Sequence, residues 1–304
     1  MEKEDKSSII ANTFKNFIEL SKVESFELSK CNKKGVELFV KRDDLIHMYI
    51  SGNKIRKLKY NIYAFYKNKC QVLVTFGGAF SNHLIATAAL CHQLDIPCIG
   101  IVRGDELTPN SNHILKKCHS FGMDLIFESR STFQEQKKMN GLIFRDGLPH
   151  WFIPEGGANL EGVEGSKEIV SDNKEVYDYY VVAQGTTTTS LGMAMSLPND
   201  AKLIVVPVLK NFNAKLEMQL LLNNDVIWES IKDKIIILDN FHFGGYAQTT
   251  SALNLFIQEV NQINEMKVES VYTGKALFAL NAFLGKSSLE NKKILFIHTG
   301  GIVA

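Results

Sequence analysis

The chain has 304 residues, of which 45% are hydrophobic, 22% charged and 10% aromatic. This composition is typical of a globular enzyme and excludes collagenous, coiled-coil and disordered chains. The 34 Lys and Arg residues nearly balance the 33 Asp and Glu residues, for a net charge of +1. A broad basic surface for nucleic acid is therefore not expected. The length predicts one large domain or two ordinary ones.

The cysteines and the N-terminal residues indicate the cellular compartment. The five cysteines are odd in number and form no C-x-x-C pair, which predicts reduced thiols instead of disulfides or a zinc site. They are Cys31, Cys70, Cys91, Cys98 and Cys118. The first residues, MEKEDKSSII, lack the apolar run of a signal peptide. No segment approaches the ~20 apolar residues of a transmembrane helix. We predict a cytoplasmic protein that contacts neither membrane nor nucleic acid.

Helical periodicity and short apolar runs alternate along the chain. The first long pattern, residues 51–66, predicts a helix with Ser51 or Asn53 as its N-cap. Apolar, β-branched runs predict strands over residues 71–76, 97–102, 123–129, 150–157, 177–184, 202–209, 234–240 and 292–301. Further helices are predicted over residues 82–94, 110–121, 162–172, 249–264 and 273–285, and directly after residues 185–189.

Continuous apolar strands separated by helices predict parallel sheets that are covered on both faces. Glycine-rich strand ends near residues 77, 185 and 300 would be hard to bring together at one edge of a single sheet. We therefore favour two α/β lobes over one wide sheet. Ligands of such folds bind at the carboxyl ends of the strands.

The common nucleotide, hydrolase and metal motifs are absent from the sequence. No strand is followed by G-x-G-x-x-G, and no G-x-S-x-G or H-E-x-x-H occurs. Gly285-Lys286-Ser287 resembles the end of a phosphate-binding loop, but Leu280 replaces its first glycine. The eight histidines show no metal-ligand spacing, so we predict no metal site.

Lys54 lies in the first turn of the predicted helix and has two interpretations. It is either a solvated helix lysine or a Schiff-base lysine, whose amine must be desolvated or placed near cations to react at neutral pH. Arg56, Lys57 and Lys59 supply nearby positive charge.

Two turns between a strand and a helix are candidate anion sites. The turn GTTTT, residues 185–189, is either a threonine-rich helix cap or a phosphate site formed by main-chain N–H groups and hydroxyls. The turn GGAFSNH, residues 77–83, has the same arrangement and could hold a carboxylate.

Seven short motifs follow one another along the chain. Each motif alone is a weak signal, but the ordered set is specific. They are K-R-D-D-L (41–45), S-G-N-K-x-R-K-L (51–58), F-G-G-A-x-S-N-H (76–83), P-E-G-G-x-N (154–159), F-G-G-Y-A (243–247), V-Y-T-G-K (271–275) and H-T-G-G (298–301). From about residue 20 to the C-terminus, the sequence resembles the 1-aminocyclopropane-1-carboxylate deaminase / D-cysteine desulfhydrase family.

The resemblance implies a two-lobed α/β fold of the tryptophan-synthase-β-like type, fold type II, in which each lobe is a mostly parallel sheet flanked by helices. It implies pyridoxal 5'-phosphate (PLP) as the cofactor, a small amino acid as the substrate, and a homodimer. The implied domains are a larger PLP-binding domain, residues 1–56 and 161–304, and a smaller α/β domain, residues 57–160.

The resemblance also implies a role for each matching residue. Lys54 would carry the cofactor as a Schiff base and move the substrate α-proton, and Asn82 would hydrogen-bond the cofactor's phenolic oxygen. The other implied roles are substrate carboxylate binding by Ser81, Asn82 and His83, phosphate binding by Gly185, Thr186, Thr187, Thr188 and Thr189, ring contact by Thr299, and active-site tyrosines at Tyr246 and Tyr272. Ser81 and the two tyrosines would join Lys54 as catalytic residues.

Thr273 matches the position that faces the pyridine nitrogen, which is acidic in the deaminases and threonine in the desulfhydrases. A hydroxyl that donates to a neutral nitrogen would weaken electron withdrawal by the cofactor and favour loss of a β-substituent. In the phosphate loop, Thr187 and Thr188 replace the glycine or serine of relatives. Their Cβ atoms require ordinary backbone angles there.

We therefore expect a PLP-dependent lyase that converts D-cysteine to pyruvate, ammonia and sulfide. The alternative reaction is opening of 1-aminocyclopropane-1-carboxylate to 2-oxobutyrate and ammonia. A non-catalytic PLP-binding protein is the alternative from a different class, although such a protein would not need all of Lys54, Ser81, Asn82, Tyr246 and Tyr272.

Overall fold

A computed structural model describes residues 6–29, 35–50 and 52–301 of the protein. Cys31 and Ser51, named above, lie outside the described residues. The strands are β1 Val23–Ser25, β2 Glu37–Lys41, β3 Val72–Gly78, β4 Cys98–Arg103, β5 Asp124–Glu128, β6 Gly141–Arg145, β7 Leu148–Ile153, β8 Tyr179–Gln184, β9 Lys202–Pro207, β10 Ile235–Ile237 and β11 Lys293–Ile297. The helices are α1 Lys6–Ile18, α2 Asn53–Lys67, α3 Asn82–Leu94, α4 His113–Ser120, α5 Arg130–Gln136, α6 Leu160–Ser171, α7 Thr188–Met195, α8 Ala214–Leu222, α9 Asp225–Ile231, α10 Ser251–Asn264 and α11 Thr273–Lys286.

The described residues form two compact units. The first comprises residues up to Glu19 and His47–Gly165, and the second comprises Leu20–Ile46 and the residues from Ser166 onward. Residues 6–19 and 47–56 thus pack with the first unit. The division predicted from the sequence, 1–56 with 161–304 and 57–160, stays a prediction.

The first unit is built on a five-stranded sheet of order β5-β4-β3-β7-β6. Its strands are parallel except the edge strand β6, which forms an antiparallel hairpin with β7. Buried side chains of the central strands, among them Val74, Phe76, Ile101 and Phe152, form one core with Phe133 of α5. Gly77 and Gly78 end β3, so they and the polar residues after them lie at the carboxyl edge of this sheet.

The second unit contains a six-stranded sheet of order β1-β2-β11-β8-β9-β10, in which only the pairing of β1 with β2 is antiparallel. Its core joins Val181, Ile204 and Phe296 of the central strands to Leu277 of α11 and Leu253 of α10. Since β8 and β11 are parallel neighbours, residues 185–189 and the H-T-G-G motif leave the same edge of this sheet. The predicted fold, two mostly parallel sheets flanked by helices, is confirmed.

Every strand predicted from the sequence is present, with shifts of a few residues at the ends. The sequence analysis missed β1, β2 and β6, and the helices α1, α5, α8 and α9. None of the helices in the described ranges combines the length and apolarity that a membrane crossing requires.

Candidate active site

Lys54 is the second residue of α2, and the residue that caps this helix, Gly52, has φ 66° and ψ −143°. Few residues other than glycine adopt this conformation. The side chain is half-buried, and its Nζ donates a hydrogen bond to Asn53 Oδ1 at 2.9 Å. Burial of the amine lowers the pKa of Lys54 from its ordinary value to about 8. The amine is still mostly protonated near pH 7, but its neutral fraction is far larger than that of an ordinary lysine.

Desolvation lowers the pKa of Lys54. Of the two causes that the sequence offered, burial is therefore the main one, ahead of the cations Arg56, Lys57 and Lys59. Burial and the like charge of Lys54 together hold the pKa of Lys57 well below its usual value. Lys57 is fully buried and donates to the carbonyl of Gly156 at 3.1 Å.

The turn after β3 forms a helix cap. Ser81 is the N-cap of α3, and its hydroxyl oxygen accepts the Leu84 N–H at 3.2 Å. Its own proton is then available to a ligand. Asn82 is the first residue of α3, and the N–H groups of this first turn have no acceptor within the helix. The predicted carboxylate site thus has donors at a positive helix end.

The hydrogen bonds of His83 fix its tautomer. Thr75 Oγ1 donates to the Ile153 carbonyl at 3.1 Å and lies 3.0 Å from His83 Nε2. The Thr75 hydroxyl proton is therefore engaged by the Ile153 carbonyl, and His83 Nε2 must donate its own proton to Thr75 Oγ1. Nδ1 is left as an acceptor, buried and without a hydrogen-bond partner among the described residues.

Burial, Lys54 and Lys57 together hold the pKa of His83 well below its usual range. The imidazole is therefore neutral and cannot donate a hydrogen bond from Nδ1 to a carboxylate. His83 can therefore contribute to carboxylate binding only through its main-chain N–H.

In the second unit, β8 leads through Gly185 into α7, as the sequence predicts. Thr187 has φ −72° and ψ −24°, and residues 185–189 include no positive φ. The threonines of this loop thus have the ordinary backbone angles that their Cβ atoms require. The N–H groups at the start of α7 point away from the helix body, where an anion is favoured.

Two buried polar atoms beside this loop have no hydrogen-bond partner among the described residues, namely Thr188 Oγ1 and Gln184 Nε2. Gln184 Oε1 accepts from Ser190 Oγ at 3.0 Å, which orients the amide. A buried polar atom without a partner is costly. Both atoms are potential hydrogen-bond donors, so an anionic ligand at this helix start would satisfy them.

Tyr272 packs on the same loop. A Cβ on Gly185 would lie 2.7 Å from its ring, so only glycine allows this approach. The Tyr246 ring meets Tyr272 edge to face, with centroids 6.0 Å apart. The two predicted active-site tyrosines are therefore neighbours.

Thr273 begins α11, and its hydroxyl is already engaged. It donates to Glu269 Oε1 at 2.9 Å, and the same carboxylate accepts the main-chain N–H groups of Val271, Tyr272 and Thr273. The sequence analysis has this hydroxyl donating to a ring nitrogen, whereas in the structure its proton belongs to Glu269.

Thr299 follows β11 and is half-buried. The preceding His298 is fully buried, with its N–H on the Lys41 carbonyl and Nε2 3.0 Å from the Lys267 carbonyl. Gly300 has φ 78°, which turns the chain directly after Thr299. The H-T-G-G motif therefore fixes Thr299 at the edge of the sheet.

Sequence reasoning missed Glu269, Gln184 and Lys275 as neighbours of the site. Glu269 precedes the V-Y-T-G-K motif by two residues, at the spacing of a helix-capping acid, which is a signal the sequence offered. Gln184 ends an apolar strand and carries no comparable signal. Among the described residues, no group of three or more His, Cys, Asp or Glu side chains could hold a metal ion.

Comparison with known proteins gives the class of the molecule. Residues 20–300 match the family described as "Pyridoxal-phosphate dependent enzyme", and the chain belongs to this family. The predicted recognition, enzyme class and cofactor are confirmed.

Similar proteins carry two different activity names. A Pyrococcus furiosus protein named "Putative 1-aminocyclopropane-1-carboxylate deaminase" is 31% identical over 286 residues, 88% of this chain and 85% of that protein. A Klebsiella pneumoniae D-cysteine desulfhydrase is 27% identical over 289 residues, 89% of this chain and 88% of that protein. The fold is similar to that in "Crystal Structure Analysis of the ACC deaminase homologue", with a TM-score of 0.75, 24% identity and coverage of 93% of this chain and 90% of that one.

The residues present fit PLP. The start of α7 offers main-chain N–H groups, the Thr188 hydroxyl and the Gln184 amide to a phosphate, and both side-chain groups are buried without a partner. Lys54 offers a desolvated amine for covalent attachment.

Proposed function

We propose that this enzyme is a PLP-dependent lyase that converts D-cysteine and water to pyruvate, ammonia and hydrogen sulfide. The observation that carries the proposal is the desolvated amine of Lys54, with its pKa lowered to about 8. Such an amine can serve as a base near neutral pH. D-cysteine has an α-proton for this base and a thiolate that can leave from the β-carbon. The cyclopropane substrate has no α-proton.

In this proposal Lys54 would bind the cofactor covalently and Asn82 would hydrogen-bond its phenolic oxygen. The residues that would hold the phosphate are Gly185, Thr186, Thr187, Thr188 and Thr189, and Thr273 and Thr299 would line the ring. When bound, PLP withdraws electron density from the α-carbon of the amino acid attached to it.

The protein's own groups then act on the substrate. The Ser81 hydroxyl and the first N–H groups of α3 bind the carboxylate, which orients the α-carbon. Lys54 Nζ, which is free once the substrate amine has taken its place, takes the α-proton. The electron pair forms a Cα–Cβ double bond, and the Cβ–S bond breaks with sulfide as the leaving group. Water then releases ammonia and leaves pyruvate.

Opening of 1-aminocyclopropane-1-carboxylate is the second candidate. The contact between Tyr246 and Tyr272 favours it, because a carbon leaving group needs assistance that a phenol can give. The name of the Pyrococcus furiosus relative supports the same candidate.

One assay separates the candidates: pyruvate and 2-oxobutyrate are measured with D-cysteine, L-cysteine and the cyclopropane amino acid as substrates. We expect pyruvate and sulfide from D-cysteine, with much slower or no 2-oxobutyrate. Ring opening as fast as D-cysteine cleavage would overturn this choice. A visible cofactor band without turnover of any amino acid would indicate a non-catalytic PLP-binding protein, with Lys54→Ala as the control that removes the band.

We further propose a cytoplasmic homodimer. Cys70, Cys91, Cys98 and Cys118 are buried free thiols, which supports a reducing compartment. The dimer rests on the family resemblance alone. Size-exclusion chromatography with light scattering would test it, and a monomeric mass would contradict it.

A further inference from the structure

Lys275 is a buried cation that no step of the proposed reaction uses. It lies in α11, three residues after Tyr272, and its side chain is fully buried. Its ammonium donates to two carbonyls, His242 O at 2.9 Å and Gly245 O at 2.7 Å. A buried charge is costly unless it is hydrogen-bonded. These two carbonyls compensate part of that cost.

Both carbonyls belong to the loop of residues 242–248, which carries Tyr246. The backbone of this loop is unusual, because Phe243 and Ala247 have φ of 53° and 57° and the two consecutive glycines have φ of 99° and 124°. Residues other than glycine seldom adopt such angles unless surrounding contacts hold them. Within the loop, His242 O accepts the Gly245 N–H at 3.0 Å and Gly245 O accepts the Gln248 N–H at 3.2 Å. Contacts from a neighbouring element add to these bonds.

Helix α11 supplies these contacts. Lys275 binds the loop carbonyls, and the Phe278 ring meets the Phe243 ring edge to face with centroids 5.2 Å apart. The same helix begins directly after Tyr272, whose ring touches that of Tyr246. A displacement of the loop from α11 would thus separate the two tyrosines.

We propose that Lys275 is a positioning residue, which fixes the 242–248 loop on α11 and thereby holds the Tyr246 ring beside Tyr272. The inference rests on the proposed function together with the catalytic role that the family resemblance implies for both tyrosines. It adds a residue whose effect on turnover passes through Tyr246.

The test compares Lys275→Met with Lys286→Met, which removes an exposed lysine from the end of the same helix. Amide hydrogen exchange of residues 242–250 is measured in PLP-loaded enzyme without substrate. We expect Lys275→Met to accelerate exchange roughly tenfold or more, because methionine has no donor for the two loop carbonyls that the lysine ammonium binds. Lys286→Met should leave exchange unchanged. Unchanged exchange in folded Lys275→Met would overturn the proposal.

Turnover gives a second, independent readout. Lys275→Met should lower kcat for D-cysteine by roughly 10- to 100-fold, the usual effect of a misplaced catalytic group. In a Tyr246→Phe background the same change should alter kcat by no more than about twofold. An equal loss in both backgrounds would contradict a role through Tyr246.

A third variant and the wild-type enzyme separate the remaining outcomes. If Lys275→Met does not fold, Lys275→Gln keeps one amide donor and should give intermediate exchange. Wild-type enzyme that cleaves neither amino acid would refute the proposed function alone, and exchange would still decide whether Lys275 holds the loop.

Discussion

The Thr188 hydroxyl provides the sharpest test of the phosphate site. Its Oγ1 is buried and has no hydrogen-bond partner among the described residues. Thr188→Val keeps the shape of the side chain and removes only this polar atom. If the hydroxyl donates to the cofactor phosphate, the substitution should stabilise the protein without PLP and weaken the binding of PLP.

The magnitudes follow from the two environments. Without the cofactor, a buried hydroxyl that lacks a partner costs about 1–3 kcal/mol, so Thr188→Val should raise the free energy of unfolding by up to that amount. A hydrogen bond to a charged group contributes about 1.5–3 kcal/mol. Its loss should weaken PLP binding roughly 10- to 150-fold, since about 1.4 kcal/mol corresponds to a factor of ten.

Denaturant unfolding of the protein without cofactor and titration with PLP measure the two effects. Thr87→Val is the matched control, because the Thr87 hydroxyl is also fully buried but donates to the His83 carbonyl at 2.9 Å. That variant should be destabilised by about 1 kcal/mol and should bind PLP with unchanged affinity. Equal destabilisation of both variants, with PLP affinity unchanged in Thr188→Val, would refute the assignment of Thr188 to the phosphate.

Two further predictions concern the first unit. Because burial favours the neutral amine of Lys54, unfolding takes up a proton between pH 8 and the ordinary lysine pKa of about 10.5, and stability from this residue rises with pH across that window. Lys54→Met should therefore stabilise the protein without cofactor at pH 7 by at most about 3 kcal/mol. In unfolding measured from pH 7 to 11, that gain should vanish as the pH passes through the window, and a gain independent of pH would contradict it. Ser81→Ala should raise KM for amino acids and leave the binding of an amine without a carboxylate unchanged in competition assays, since the Ser81 hydroxyl has a free proton for an anion; equal effects on both ligands would exclude a carboxylate site.

The sequence predicts the central strands of both sheets because they are buried on both faces and are therefore mostly apolar. Edge and short elements carry no such signal. In β6, residues 141–145, no position is fully buried, and the strand exists only as the antiparallel partner of β7. Helices α5 and α9 have seven residues each, which is too few to show a clear period.

For the candidate site, the sequence predicts which residues take part but not their protonation states. Lys54, Ser81 and the 185–189 turn are visible as motifs, and their helix starts follow from local rules. The tautomer of His83 cannot be predicted from the sequence, since it depends on Thr75 of β3 and on the Ile153 carbonyl of β7. The pKa of Lys54 likewise depends on the protein that surrounds the amine. Contacts of this kind are set by tertiary structure.

Glu269 alters the effect expected of Thr273 on the reaction. From the sequence, D-cysteine is preferred because a Thr273 hydroxyl that donates to a neutral ring nitrogen would weaken electron withdrawal by the cofactor. In the structure that hydroxyl donates to Glu269 Oε1 at 2.9 Å, so it offers a further partner only a lone pair, with a carboxylate behind it. Such an acceptor favours a protonated nitrogen. If Thr273 faces the ring nitrogen, as the family resemblance implies, Thr273 and Glu269 in series would take the part that the resemblance gives to an acidic residue in the deaminases. The proposed preference for D-cysteine then depends on the α-proton available to Lys54 and on the thiolate leaving group.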